Sequence, residues 1–279
     1  MIELGHYSTL ECVKTTDFGV YLDGGPFGEV LLPKRYVPEG LQPGQEVDIF
    51  LYCDSEDRVI ATTEKPHAAV GEFAYMRAKD LSDHGAFMDW GLMKDLFVPF
   101  REQAYEMEKG KYYFVKVLLD ETSDRIYGSS KIEKHVQRQN NGQLKVGEEV
   151  KLMAWSRTDL GCKMIINDAY MGLLFKNEIF KDLKTGQILR GYIKAIREDG
   201  KMDVTLQKHG YGNYIDDTAD TVLNKLKENN GYLAITDGSA PEAIYETFGM
   251  SKKTFKKAVG SLYKQRLIAL EKEGIRLLE

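Results

Sequence analysis

At 279 residues the chain has room for two to four small domains, and with 43% apolar and 29% charged side chains it has the make-up of an ordinary globular protein. A net charge of -5 argues against a simple polycation that coats nucleic acid, and no stretch approaches the roughly 18 apolar residues of a membrane span. Cys12, Cys53 and Cys162 lack the CxxC spacing of a zinc site or disulfide framework, and Glu3 stands where a secretion signal needs lysine or arginine, so a reducing cytoplasm is expected.

The chain then says nearly the same thing three times. It reads Phe18-Gly19-Val20-Tyr21-Leu22-Asp23, then Leu31-Leu32-Pro33-Lys34. It reads Gly85-Ala86-Phe87-Met88-Asp89-Trp90, then Phe97-Val98-Pro99, 66 residues on. A third copy, 76 residues later, reads Gly161-Cys162-Lys163-Met164-Ile165-Ile166, then Leu174-Phe175-Lys176. A fixed period marks an array of similar units. Each copy is long enough to fold alone, which predicts beads of small domains.

In the first copy, strands four and five are expected over 47–52 and 58–62, around the turn 54–57. The second copy shows all five strands. The runs 71–79 and 86–90 alternate, 96–99 is stopped by Pro99, 111–119 is rich in β-formers, and 125–130 closes the unit after the turn 120–124. In the third, 188–195 and 202–206 flank the turn Glu198-Asp199-Gly200. Five short strands in a small closed unit predict a barrel of the OB type, whose faces hold oligonucleotides or oligosaccharides; another five-stranded topology is the alternative. Phe87 shares a strand face with Asp89, and Tyr21 with Asp23. Carboxylates are rarely buried unpaired, so these rings are expected on wet faces where they can stack a base. The alternative is that a neighbouring domain covers them.

After the repeats, 209–213 reads as a glycine-rich linker. A helix over 220–229, a short strand over 232–235, and a second helix opened by Pro241 follow, its apolar residues Ile244, Tyr245 and Phe248. A third helix, 252–266, is capped by Ser251, and two strands, 267–270 and 275–278, close the chain. That order is a winged helix. The third helix carries Lys252, Lys253, Lys256, Lys257, Lys264 and Arg266 and no acid. With Phe255, Val259, Leu262 and Tyr263 as its apolar stripe, these cations form one basic face suited to a polyanion; a merely solvated helix is the alternative. The expected fold class is thus mainly β, three tandem five-stranded OB-fold barrels and a small α+β winged helix. The domains are expected at 1–66, 67–142, 143–210 and 211–279.

Charge is unevenly placed. Residues 1–66 carry 5 basic and 12 acidic side chains, net -7. Residues 67–145 balance at 12 and 12, residues 146–209 carry 11 and 9, net +2, and residues 210–279 carry 10 and 10. A polyanion is expected to favour the C-terminal half. The five histidines never reach metal-ligand spacing, and no phosphate loop or nucleophile elbow is present, so neither catalytic residues, metal, cofactor nor small-molecule substrate is indicated.

The order of these strand motifs, clearest in Phe87 to Gly91 with Leu96 to Pro99 and in the closing run Met202 to Lys208, resembles the S-one (S1) RNA-binding domain. Three such domains followed by a winged helix are similar to the bacterial conserved virulence factor B family. The resemblance implies an outward, base-stacking aromatic on strand two, which falls on Tyr21, Phe87 and Lys163. It implies another on strand three, which falls on Phe97, with Leu31 and Leu174 at the matching places. Lysine replaces the ring in the third barrel, where Tyr170 or Phe175 is a substitute. The expectation is a cytoplasmic RNA-binding regulator of gene expression, and of virulence by resemblance. Single-stranded RNA would lie on barrel three (Lys163, Tyr170) and the winged helix, with Phe87 and Phe97 as further stacking sites. Ribosome or RNA-processing proteins are possible partners. A DNA-binding transcription regulator and a ribosome or nuclease adaptor are the rivals.

Overall fold

A computed structural model describes residues 2–179, 182–207 and 213–278, the side chains of 213–217 excepted. The expected linker therefore lies mostly outside the described residues. The first repeat forms β1 (Tyr7–Thr16), β2 (Gly19–Asp23), β3 (Glu29–Pro33), β4 (Glu46–Cys53) and β5 (Val59–Thr62), a closed barrel in the order β1-β2-β3-β5-β4. The second forms β6 (Phe73–Ser82), β7 (Gly85–Met88), β8 (Leu96–Pro99), β9 (Tyr112–Asp120) and β10 (Arg125–Ser129). Its hydrogen-bonded sheet runs β10-β9-β6-β7-β8, so its edges are β8 and β10. Packing fills this seam. A Cβ on Gly128 would come within 2.8 Å of the Val98 side chain, a space only glycine leaves free. A short helix, α1 (Ile132–His135), leads to the third repeat: β11 (Glu149–Thr158), β12 (Gly161–Ile166), β13 (Tyr170–Phe175), β14 (Ile188–Ile196) and β15 (Met202–Thr205), again a closed barrel, β11-β12-β13-β15-β14.

Two devices recur at the repeat spacing. The first is the glycine that opens strand two. A Cβ on Gly19, Gly85 or Gly161 would lie 2.2, 2.3 or 2.0 Å from the carbonyl oxygen of Leu32, Val98 or Leu174. Only a residue without a side chain lets strand three approach so closely. The second is a bulge in strand one, at Cys12/Lys14, Ala78/Asp80 and Ala154/Ser156. The extra residue bends the strand around the barrel.

The barrels are not beads. Phe50 and Tyr52 of the first share a buried cluster with Trp90, Met88 and Leu96 of the second. The Trp90 ring meets Phe50 edge-on at 5.7 Å, and its Nε1 donates to the Ala68 carbonyl at 2.8 Å. Phe73 and Phe114 of the second barrel are buried with Ile132 and Val136 from the connecting segment and with Met153 and Ile165 of the third. Lys116 donates to the Asp168 carbonyl at 2.9 Å, and burial depresses its pKa. Apolar burial of this kind is what joins domains into a single body.

By contact density the chain divides into two units. One is Met1–Leu144, Val150–Arg190 and Ile196–Val204; the other is Lys145–Glu149, Gly191–Ala195 and Thr205–Glu279. The second unit holds α2 (Asn213–Glu228), β16 (Tyr232–Leu233), α3 (Pro241–Phe248), α4 (Lys252–Lys264), β17 (Ile268–Glu271) and β18 (Gly274–Leu277), with the strands ordered β16-β18-β17. This is a winged helix. Val222, Leu226, Ile244, Phe248, Phe255, Val259 and Leu262 form its core with Ile268 and Ile275. Gly249 ends α3 in the left-handed region (φ 65°), as a helix C-terminus favours. Ser251 caps α4 by accepting from the Thr254 N–H. Among the described residues no helix is long and apolar enough to cross a membrane.

Candidate nucleic-acid interface

In each repeat, strands two and three set one cross-strand pair on the outer face of the barrel. The pairs are Tyr21 with Leu31, Phe87 with Phe97, and Lys163 with Leu173. The third pair corrects the expected register by one residue: Leu174, not Leu173, is fully buried, because it points into the barrel. The alternation around Phe87 is as read. Ala86, Met88 and Trp90 are buried, whereas Phe87 and Asp89 are partly exposed. The Phe87 and Phe97 rings lie 5.2 Å apart at 43°, both reachable from solvent. Tyr21 is more encumbered. Lys14 sits over its ring at 4.8 Å and is itself ion-paired to Glu29.

In the third barrel Lys163 holds its Nζ 5.3 Å above the Trp155 ring. Trp155 is the extra residue of the bulge between Ala154 and Ser156. A ring thus occupies the region where the sequence shows only a lysine, delivered from strand one. Beside it runs a groove of about 500 Å³ lined by Arg138, Leu160, Lys163, Leu173, Arg197 and Lys201. Three of its cations have carboxylate partners: Arg138 with Glu133 at 2.7 Å, Arg197 with Asp203 at 2.6 Å and Lys201 with Asp199 at 2.6 Å. The Lys201 ammonium and backbone N–H hold the Asp199 carboxyl below its ordinary range. Among the described residues no carboxylate lies at ion-pair distance from Lys163, which leaves its charge for a ligand. Arg197 also covers the partly exposed Phe175 ring at 5.7 Å.

Tyr170 does not join this face. It is 3% exposed, and its hydroxyl lies 2.7 Å from Asn141 Oδ1 and 2.6 Å from Gln143 Oε1. A ring enclosed in this way has no free face for a base, so its expected stacking role is withdrawn.

On α4 the core side is Phe255, Ala258, Val259 and Leu262, all buried. Tyr263, expected in this stripe, is instead 55% exposed, as is Tyr245 of α3 at 56%. Lys253, Lys257, Lys264 and Arg266 are exposed. Lys252 donates to the Ser239 carbonyl at 2.9 Å, and Lys256 pairs with Asp237 at 3.2 Å. The helix ends at Lys264, so Arg266 lies just beyond it, in the left-handed region at φ 59°. The first turn of α4 contains no acid, and Lys252 and Lys253 sit there against the positive end of the helix dipole. That placement opposes helix stability. A bound anion would relieve it.

Residues 4–64 match the S1 domain family, and residues 220–277 match the CvfB-like winged helix domain family. The S1 match falls on the first repeat, although the motif reads most clearly in the second. The Conserved virulence factor B protein of Staphylococcus epidermidis is 27% identical over 92% of this chain and 89% of its own length. YitL of Bacillus subtilis, described as uncharacterized, is 26% identical over 93% of this chain and 89% of its own. The solved structure of a multidomain protein with nucleic acid binding domains from Streptococcus pneumoniae aligns over 99% of this chain and 98% of that one, at 22% identity and a TM-score of 0.41. Five-stranded OB-type barrels and helix-turn-helix modules are both frames that bind nucleic acid. Along nearly its whole length the chain is similar to the conserved virulence factor B proteins, with a match to the S1 domain family near one end and to the CvfB-like winged helix family at the other.

Proposed function

We propose that this protein binds single-stranded RNA and acts after transcription to control gene expression in the bacterial cytoplasm. Barrel three and the winged helix are the main surfaces, and Phe87 and Phe97 are additional stacking sites. The domains are taken as 1–66, 67–142, 143–210 and 211–279. The observation that carries this reading is the pairing of two kinds of surface. Accessible rings stand on barrel faces (Phe87, Phe97 and the Trp155–Lys163 pair), and a lysine face on α4 has no acid within the helix. Rings stack on unpaired bases and lysines neutralise phosphates, the combination that single-stranded nucleic acid requires. Unstacked bases are far more available in RNA loops and single strands than in a duplex. The name of the staphylococcal relatives supports a role in virulence, and the ribosome or RNA-processing proteins are the further partners in this reading.

A second reading, a DNA-binding transcription regulator, draws on α4 alone, since the corresponding helix of helix-turn-helix proteins enters the major groove. Replacing Lys252, Lys253, Lys256 and Lys257 together with glutamine tests the first reading. Each phosphate contact on a single strand contributes about -0.7 to the slope of log K against log salt, so losing two to four should flatten it by roughly 1.5–3. Glutamine keeps the helix. A folded quadruple variant with unchanged affinity and slope for single-stranded RNA would remove α4 from the interface. Loss of duplex DNA binding alone would favour the second reading.

A further inference from the structure

One feature of α4 has no explanation in the fold. Gly260 lies in the middle of a 13-residue helix, where glycine is the poorest helix former after proline. Among the described residues neither backbone geometry nor packing demands it. Its φ is not positive, and a Cβ built there would meet no described atom within 4 Å. Alanine would fit and strengthen the helix. Glycine in such a place leaves bare backbone for something outside the helix to approach.

The neighbours of Gly260 indicate what approaches. On a helix surface the residues nearest to position i are i±3 and i±4. For Gly260 these are Lys256, Lys257, Tyr263 and Lys264, with Lys253 one turn further along the same side. Lys257, Lys264 and Lys253 are exposed, and Tyr263 is 55% exposed. The notch therefore has a bare floor, one aromatic wall and a rim of ammonium groups. The core stripe of Phe255, Ala258, Val259 and Leu262 lies on the opposite side, so the notch faces away from the winged-helix core.

We infer that this notch is a nucleotide subsite. One unpaired base of a single strand stacks on Tyr263 over the Gly260 backbone, and its flanking phosphates lie against Lys257 and Lys264. The inference rests on the single-stranded RNA reading and sharpens it. It makes α4 a reader of extruded bases instead of a rod laid in a major groove. Charge complementarity selects a polyanion, and the exposed ring beside bare backbone selects a polyanion with an accessible planar face.

The test measures binding of the intact protein to a labelled single-stranded RNA and to duplex DNA across a salt series, for Gly260→Ala, Tyr263→Ala, Tyr263→Phe and the quadruple lysine variant. Gly260→Ala should melt no lower than the parent, because alanine is the better helix former. It should nevertheless bind single-stranded RNA about fivefold more weakly, since its methyl fills the notch. Tyr263→Ala should lose about tenfold with an unchanged salt slope, because stacking releases no counterions, and Tyr263→Phe should retain most of the affinity. If Gly260→Ala and Tyr263→Ala bind RNA like the parent while the lysine variant loses affinity, the notch is overturned and the RNA reading stands. If the lysine variant is unaffected as well, or duplex DNA binds tighter than RNA, both are overturned.

Discussion

In the first barrel Gly19 admits the Leu32 carbonyl, and a bulge bends β1 between Cys12 and Lys14. In the third barrel Gly161 admits the Leu174 carbonyl, and a bulge bends β11 between Ala154 and Ser156. The frames are the same, but the outer faces are not. Tyr21 lies under Lys14, whose charge is taken by Glu29, on a domain of net charge -7. Lys163 lies over Trp155, with no carboxylate partner among the described residues, beside a groove lined by Arg138, Arg197 and Lys201. Interior residues and one glycine per repeat define the barrel, while the bulge residue and the outward strand positions decide what it can hold. The first barrel also buries Phe50 and Tyr52 against Trp90 of the second, so it contributes to the structure of its neighbour whatever it binds. Deleting residues 1–66 would strip that cluster, which makes the deletion a test of stability more than of RNA contact.

The largest effect expected from this comparison concerns what the two barrels share. Gly19→Ala and Gly161→Ala each force a methyl toward a carbonyl oxygen in a packed sheet. Each should cost roughly 1–3 kcal/mol or more in denaturant unfolding. Tolerance of either one would show that the repeated glycine is not the device that sets the frame.

A smaller effect should separate the two faces. Lys163→Gln should weaken single-stranded RNA binding several-fold at low salt and reduce the salt slope by about 0.7, one phosphate contact. Tyr21→Ala should leave affinity within about twofold, because that domain repels phosphate. The reverse ranking would place the RNA on the first barrel and defeat the charge argument.

Much of this frame was legible in the sequence. The repeat, the glycine at each strand-two start and the outward setting of Phe87 and Asp89 all follow from spacing and alternation. The register of the third barrel is ambiguous by one residue in the sequence because Met171, Leu173 and Phe175 face outward while remaining apolar. The run has no polar residue to mark its faces, and only the pairing of Lys163 with Leu173 fixes it. Trp155 has no signal in the spacing because a bulge residue breaks the two-residue period of a strand. The enclosure of Tyr170 has no mark in the sequence because its partners, Asn141 and Gln143, come from the segment between barrels, which carries no strand pattern. Tyr263 sits at the border of the α4 stripe, four residues after Val259, where spacing alone permits either side. The small winged-helix core is filled before reaching it.

The central claim is that one frame carries an RNA face on the third barrel and on α4 but not on the first barrel. Photo-cross-linking of single-stranded RNA to the intact protein, with the attached peptides identified by mass spectrometry, tests it most directly. The account predicts cross-links at the Trp155–Lys163 groove, at Phe87 and Phe97, and at Tyr263, and few at Tyr21. Cross-links concentrated at Tyr21, with the third barrel and α4 unlabelled, would contradict it.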